Sequence, residues 1–216
     1  MVAEKPRELR SDARRNHQQI LAAARDLFVE RGPSAPLEDI ARRAGVGIGT
    51  LYRRFSDRET LMRAVVLDAL VETVEIAERA GREEASAMDA LVRYMHAALD
   101  LRVSAVIPAL LDVLDLDDAV LLPARDRGAA SVQRLVDAAH AEGSLSDQVT
   151  FADVGMMLVR LSRPLPGPLS EELNAQLGHR HLDLLVSGLR SGQDAVEAPL
   201  EGPELSREDL NKLADR

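Results

Sequence analysis

Along most of the chain, apolar residues recur at three- and four-residue intervals, the spacing that gathers them on one face of an α-helix. From Asn16, the positions Ile20, Ala24, Leu27 and Phe28 keep this period until Gly32-Pro33 interrupts it, which predicts a first amphipathic helix. Pro36 stands where a first-turn proline belongs, and Leu37, Ile40, Ala41 and Ala44 mark about two turns ending at Gly45. A third, short helix follows within a few residues, with Val46 in the turn and Leu51 and Phe55 facing inward. Ser56 and Asp57 then offer capping groups to a long helix through Leu61, Met62, Val65, Ala69 and Val74, with Gly81 as its expected end. Helical periodicity continues in segments at about 86–102, 104–115, 118–141, 147–163 and 170–190. Pro164, Pro166, Gly167 and Pro168 make a stiff loop before the last of these, where Ser170 offers a cap and Glu171 and Glu172 suit the start of a helix. With no strand pattern, the fold class predicted is all-α.

The two ends break the pattern. Residues 1–12 are charged and aperiodic and are expected to form a flexible arm, while 191–216, rich in Gly, Pro, Glu and Asp, are expected to be a disordered tail. Between them the predicted organisation is a three-helix unit over 13–60 and a helical bundle over 61–190.

Composition narrows the chemistry. The absence of cysteine excludes disulfides, thiolate metal sites and cysteine nucleophiles. No apolar run approaches the roughly 18 to 20 residues needed to span a bilayer, and the first residues lack the apolar segment of a secretory signal, so the expected location is the cytoplasm and no membrane partner is expected. A net charge of −9 opposes nucleic-acid binding when taken whole. It conceals an asymmetry: residues 1–60 hold 12 Lys and Arg against 9 Asp and Glu, and the remainder is strongly acidic. One segment is built to approach phosphate and the other to stay away from it.

The stretch from Leu37 to Leu61 carries the function. In a helix-turn-helix, two short helices cross steeply, so the first must be small where the second lies on it and the turn must be tight; Ala41 and Gly45 meet those needs. Ile40, Val46 and Leu51 supply a shared core and leave the second helix free to enter a major groove. The run from Asn16 to Leu61 resembles the DNA-binding domain of the tetracycline-repressor (TetR) family, whose pattern Ile40, Ala41, Ala44, Gly45, Val46, Gly49, Thr50, Leu51, Tyr52, Phe55, Arg58 and Leu61 match at fixed spacing. The resemblance implies that Ile48, Gly49, Thr50, Arg53 and Arg54 face the groove of double-stranded DNA and that Tyr52 and Arg58 hold phosphates; Arg43 completes the expected contact set. Where the family often has a phosphate-binding Thr, this chain reads Ala35-Pro36-Leu37, so Leu37 is not a contact. Arg10, Arg14 and Arg15 stand either as a further DNA-reaching arm or as a charged terminus.

For the second half the resemblance implies ligand binding and dimerisation. Its final two helices are expected to pair with those of a second copy through Phe151, Leu158, His181 and Leu185, which would present two reading heads to a palindromic operator. Tyr94, Met95, Met156 and Met157 are the candidate contacts for a small-molecule effector, since thioethers adapt to irregular ligands. His179 and His181 lie two apart on a helix and point to different faces, unlike the paired spacing of a helical metal site, and His96 and His140 stand alone in the sequence. No metal, cofactor or catalytic constellation is predicted. The expected function is a ligand-responsive homodimeric repressor; an activator of the same fold, and a helical enzyme or interaction protein, are the alternatives.

Overall fold

A computed structural model describes residues 5–110, 112–115, 118–165 and 167–189, and among these it contains nine helices and no strand. They are α1 (Lys5–Arg31), α2 (Leu37–Arg43), α3 (Ile48–Arg54), α4 (Arg58–Glu83), α5 (Ala87–Asp100), α6 (Val103–Leu110), α7 (Leu121–Glu142), α8 (Phe151–Leu161) and α9 (Glu171–Leu189). The tail expected over 191–216 lies outside the described residues.

Helix α1 begins at Lys5, so the expected arm over 1–12 is helical from its fifth residue. The stretch carries no apolar period, yet Lys, Arg, Glu, Leu and Ala are good helix formers, and a helix already nucleated by packing at Ile20 extends without a new nucleation cost. Pro6 falls in the first turn, where its missing N–H has no helical partner to lose.

Helices α1, α2 and α3 enclose a small core of Ile20, Ala24, Leu27, Phe28, Ile40, Ala41, Leu51 and Phe55, all buried. Gly45 sits in the turn between α2 and α3 at φ 68°, a left-handed conformation that a Cβ disfavours. Helix α4, roughly 39 Å long at 1.5 Å per residue, joins this unit to the rest. Its first turn is capped by the Asp57 carboxylate, which accepts from the Thr60 N–H at 2.7 Å, and its far end packs on α5 and α7. Gly81, expected to end α4, lies inside it: a Cβ there would stand 3.5 Å from Leu135 Cδ2, an ordinary contact, and packing against α7 carries the helix on to Glu83.

Beyond α4 the predicted segments are present with shifted ends. Helix α6 stops at Leu110, and α7 starts where the Asp118 carboxylate accepts the N–H groups of Val120 and Leu121. A reciprocal capping box of Thr150 and Asp153 starts α8, and the Ser170 hydroxyl accepts from Leu173 N–H at the start of α9. Buried side chains form one continuous core from Ile20 on α1 to Val186 on α9. Helix α9 joins it by a narrow stripe, Gly178, Leu182 and Val186.

Candidate nucleic-acid interface

Helix α3 is held by one buried side chain of its own, Leu51, with Phe55 buried just beyond its end. His17 on α1 lies flat against the Phe55 ring, centroids 5.4 Å apart, and fixes the level at which α3 leaves the core. With a single anchor facing inward, a seven-residue helix presents nearly everything else to solvent. Ile48, Gly49, Tyr52, Arg53 and Arg54 are exposed and Thr50 is half-buried. Tyr52 exposes 49% of its surface, which assigns the inward role to Leu51 and Phe55 and leaves the phenol free to meet a partner. The Thr50 hydroxyl accepts from Arg53 Nη2 at 3.1 Å, one turn away, so the guanidinium is held along the helix. At roughly 10 Å, the length of α3 is comparable to the 12 Å width of a major groove.

The other two expected DNA contacts are engaged within the protein. Arg58 Nη1 donates to the carbonyls of Pro33 and Ala35 at 2.8 and 2.6 Å, so this guanidinium secures the α1–α2 loop, whose carbonyls have no helical partner, rather than standing free for a phosphate. Arg43 donates to Glu30 at 2.8 Å and lies 3.6 Å from the Glu171 carboxylate. Burial raises the pKa of Glu30, but the bond from Arg43 and the charges of Arg43 and Arg102 outweigh it and hold the carboxyl below the usual range.

Periodicity missed the cations that join the three-helix unit to the bundle. Arg25, only 4% exposed on α1, donates to the Leu101 carbonyl at 2.9 Å and to Asp68 at 2.7 Å, and lies 2.6 Å from Glu72. Arg102, at φ 50° in the corner between α5 and α6, reaches Glu30 at 3.3 Å and Asp26 at 3.8 Å. The one sequence signal for this junction is Asp68 with Glu72, an acidic pair four residues apart on α4.

Burial divides the expected effector contacts. Tyr94 and Met95 are buried in α5, and burial, partly offset by a hydrogen bond with Ser104, pushes the Tyr94 phenol far up. Met157 is half-buried, whereas Met156 on α8 is exposed and turns away from the interior. Of the expected dimer contacts, His181 and Leu185 are exposed and Phe151 is half-buried. Leu158 is 0% exposed because it fills the chain's own core, which removes it from an interface with a second copy. The outer surface of α8 and α9 exposes Met156, Leu173 and Leu184.

Among the described residues no helix is long and apolar enough to cross a membrane, and no group of three or more His, Cys, Asp or Glu is placed to hold a metal ion. A family model described as "Bacterial regulatory proteins, tetR family" matches residues 20–65. The fold is similar to the crystal structure of a TetR transcription regulatory protein from Mycobacterium vanbaalenii, with a TM-score of 0.58 and 30% identity over 85% of this chain and 99% of that one. It is also similar in fold to the TetR-like regulator LfrR from Mycobacterium smegmatis, solved in complex with proflavine, with a TM-score of 0.57 and 22% identity over 79% of this chain and 95% of that one. An HTH-type transcriptional regulator of Staphylococcus aureus (strain MRSA252) is 43% identical over 63 residues, 28% of this chain. The match spans 32% of that relative, about a third of its length.

Proposed function

The chain belongs to the TetR family of bacterial transcriptional regulators, and from that premise we propose that it is a homodimeric repressor released from a palindromic operator by a small molecule. The observation that carries this reading is the exposed face of α3, where Thr50, Tyr52, Arg53 and Arg54 stand together over one buried anchor, Leu51. An Arg can fork onto guanine O6 and N7, and hydroxyls can bond phosphate oxygens. Ile48 and Gly49 leave the leading end of α3 with little side chain, so discrimination falls to the two arginines and to the shape of the duplex. Working in the cytoplasm as a pair, two such helices about 34 to 36 Å apart would enter successive major grooves.

Release needs an effector that prefers one of two conformations. Helix α4 is the natural carrier, since Arg58 in its first turn holds the α1–α2 loop and its middle meets Arg25 through Asp68 and Glu72. The M. smegmatis neighbour holds proflavine; here the effector is an unidentified small molecule, and Tyr94, Met95 and Met157 are the inward-facing candidates to touch it. Selection of genomic fragments with purified protein tests the reading. The expected result is a two-fold symmetric motif with half-sites one helical turn apart, while a motif without symmetry would sink the dimeric reader. Gel-shift titration with candidate effectors separates a repressor, which they release, from an activator, which they recruit.

A further inference from the structure

Four side chains outside the DNA-reading surface meet where α5 packs on α9. His96 and Asp100 stand one turn apart on α5, and His179 and Asp183 one turn apart on α9. The two imidazoles face each other with Nδ1 to Nδ1 at 2.8 Å. His96 Nε2 lies 3.1 Å from Asp183 Oδ1, and His179 Nε2 lies 2.7 Å from Asp100 Oδ1. The ring planes differ by only 12° with centroids 5.0 Å apart. That separation is what two rings have when each nitrogen lies on the line joining the ring centres. The rings therefore meet edge to edge in nearly one plane, the geometry of a linear N–H···N bond.

Counting protons gives the chemistry. A carboxylate can only accept, so all three contacts in the series Asp183, His96, His179, Asp100 draw their proton from an imidazole nitrogen. Three protons on two rings make one imidazolium and one neutral imidazole. We infer that His96 and His179 form a proton-operated latch: with one N–H between the two Nδ1 atoms and one on each Nε2 the pair locks α9 onto α5, and departure of the His96 Nε2 proton to water undoes the His96–Asp183 contact while the Nδ1···Nδ1 bond keeps its proton. Two neutral rings can satisfy only two of the three contacts. The one abandoned is the longest, to an exposed carboxylate that water can solvate. The latch matters because the apolar attachment of α9 is narrow: among its described residues Gly178, Leu182 and Val186 are buried, and Leu189 packs half-buried at its end.

The surroundings leave the two carboxylates as the charges in contact with the pair. On α5, Arg93 is bound to Glu83 and Glu84. Arg102 and Arg163 share with Asp100 and His179 the wall of a cavity of about 120 Å³, but Arg102 is turned to Asp26 and Glu30, and Arg163 is exposed. Arg180, next to His179, is exposed, and the end of α8 contributes Leu161. A metal ion tetrahedrally bridging the two Nδ1 atoms would need them about 3.3 Å apart, given bonds of about 2.0 to 2.1 Å. At 2.8 Å the gap fits a proton.

Nitrogen-15 NMR of the full chain, labelled at histidine, between pH 5 and 8.5 tests the latch. The expected result is that His96 and His179 titrate together with one shared midpoint and show coupling across the N–H···N bond, which disappears in His96→Gln. Independent titrations without that coupling would overturn the proposal, and so would Nδ1 signals displaced by micromolar Zn²⁺ alone, which would make the pair a metal site. Urea unfolding supplies a second readout. Where the three contacts together hold one proton more than the unfolded chain does, that proton's contribution to stability is present on the acid side and lost as pH rises. The folding constant of the wild type relative to His96→Gln should therefore fall by up to tenfold per pH unit in the titration window. Asp183→Asn, a change at an exposed residue, makes the same comparison if His96→Gln does not fold. A consequence for pairing rests on the dimeric reading above: the latch sets how α9 presents Leu173, Leu184 and Leu185. Self-association that ignores pH while the shared titration persists overturns that consequence and leaves the latch, so the two failures are distinguishable.

Discussion

Arg53 and Arg25 carry the same charge in opposite settings, and the setting decides what each does. Arg53 is exposed and tethered only to Thr50, so replacing it with Ala should leave stability within about 0.5 kcal/mol of the parent. If it reads a base, Arg53→Ala costs roughly 1 to 3 kcal/mol of affinity for the operator and little for random DNA, measured side by side at one salt concentration. Equal loss on both makes it a phosphate contact. Arg25 is buried, and Arg25→Met would strand two carboxylates that now share its charge. Removing one partner of a buried pair costs about 3 to 5 kcal/mol, and because Asp68 and Glu72 are about a third exposed, roughly 2 kcal/mol is expected from urea unfolding. Asp68→Asn combined with Arg25→Met should recover part of it. The exposed face of α3 was legible because Leu51 and Phe55 fall on a helical period within a few residues of sequence. Arg25, Arg58 and Arg102 were not, since a period treats an arginine as a solvent-facing residue. Their partners lie 23 to 76 residues away, a pairing that only the folded chain creates.

At the level of helices, the apolar period located the nine of the described residues but not their ends, because ends are set by capping groups and by neighbours that a period does not contain. Gly81 and Gly45 separate the two cases. Gly81→Ala places a methyl in ordinary contact with Leu135 inside α4 and should raise stability by about 0.5 to 1 kcal/mol. Gly45→Ala has open space but a left-handed backbone, and should lower stability by about 1 to 2 kcal/mol. Three helices start on a carboxylate. Bonds from Thr60 N–H to Asp57 at α4, from Leu121 N–H to Asp118 at α7, and from the Ser144 hydroxyl and Ala87 N–H to Glu142 at α5 hold each of these acids below its ordinary value. A lowered carboxylate stabilises above its unfolded value, and that contribution is lost as pH falls through the folded one. These helix starts should therefore loosen below about pH 4, seen as loss of protection at the amides of Thr60, Leu121 and Ala87 in hydrogen exchange corrected for intrinsic rate. Asp26 and Glu72, raised chiefly by burial, titrate in the opposite sense and take up their protons first, so the decline should begin shallow.

For the molecule as a whole, the decisive question is whether the outer faces of α8 and α9 join two copies. Leu184 is 63% exposed, and Leu185 and Leu173 flank the same helix, while Leu182 and Val186 hold it to its own bundle. A glutamate at Leu184 together with one at Leu185 leaves the inward stripe untouched, so the monomer should fold with an unchanged helical spectrum. Two like charges facing their symmetry mates across an apolar contact should break pairing, seen by sedimentation at micromolar concentration. DNA binding supplies the sharper test. Linking two readers makes the second contact intramolecular, so a pair gains roughly 10² to 10⁴ over a single reader on an operator of correct spacing. L184E/L185E should lose that factor on the palindrome yet match the parent on an isolated half-site, where one α3 is all that binds. Its salt dependence should fall with the number of phosphates contacted, close to half the parent's slope. A double variant that stays paired, or that binds the palindrome as tightly as the parent, would place the contact between copies somewhere other than α8 and α9.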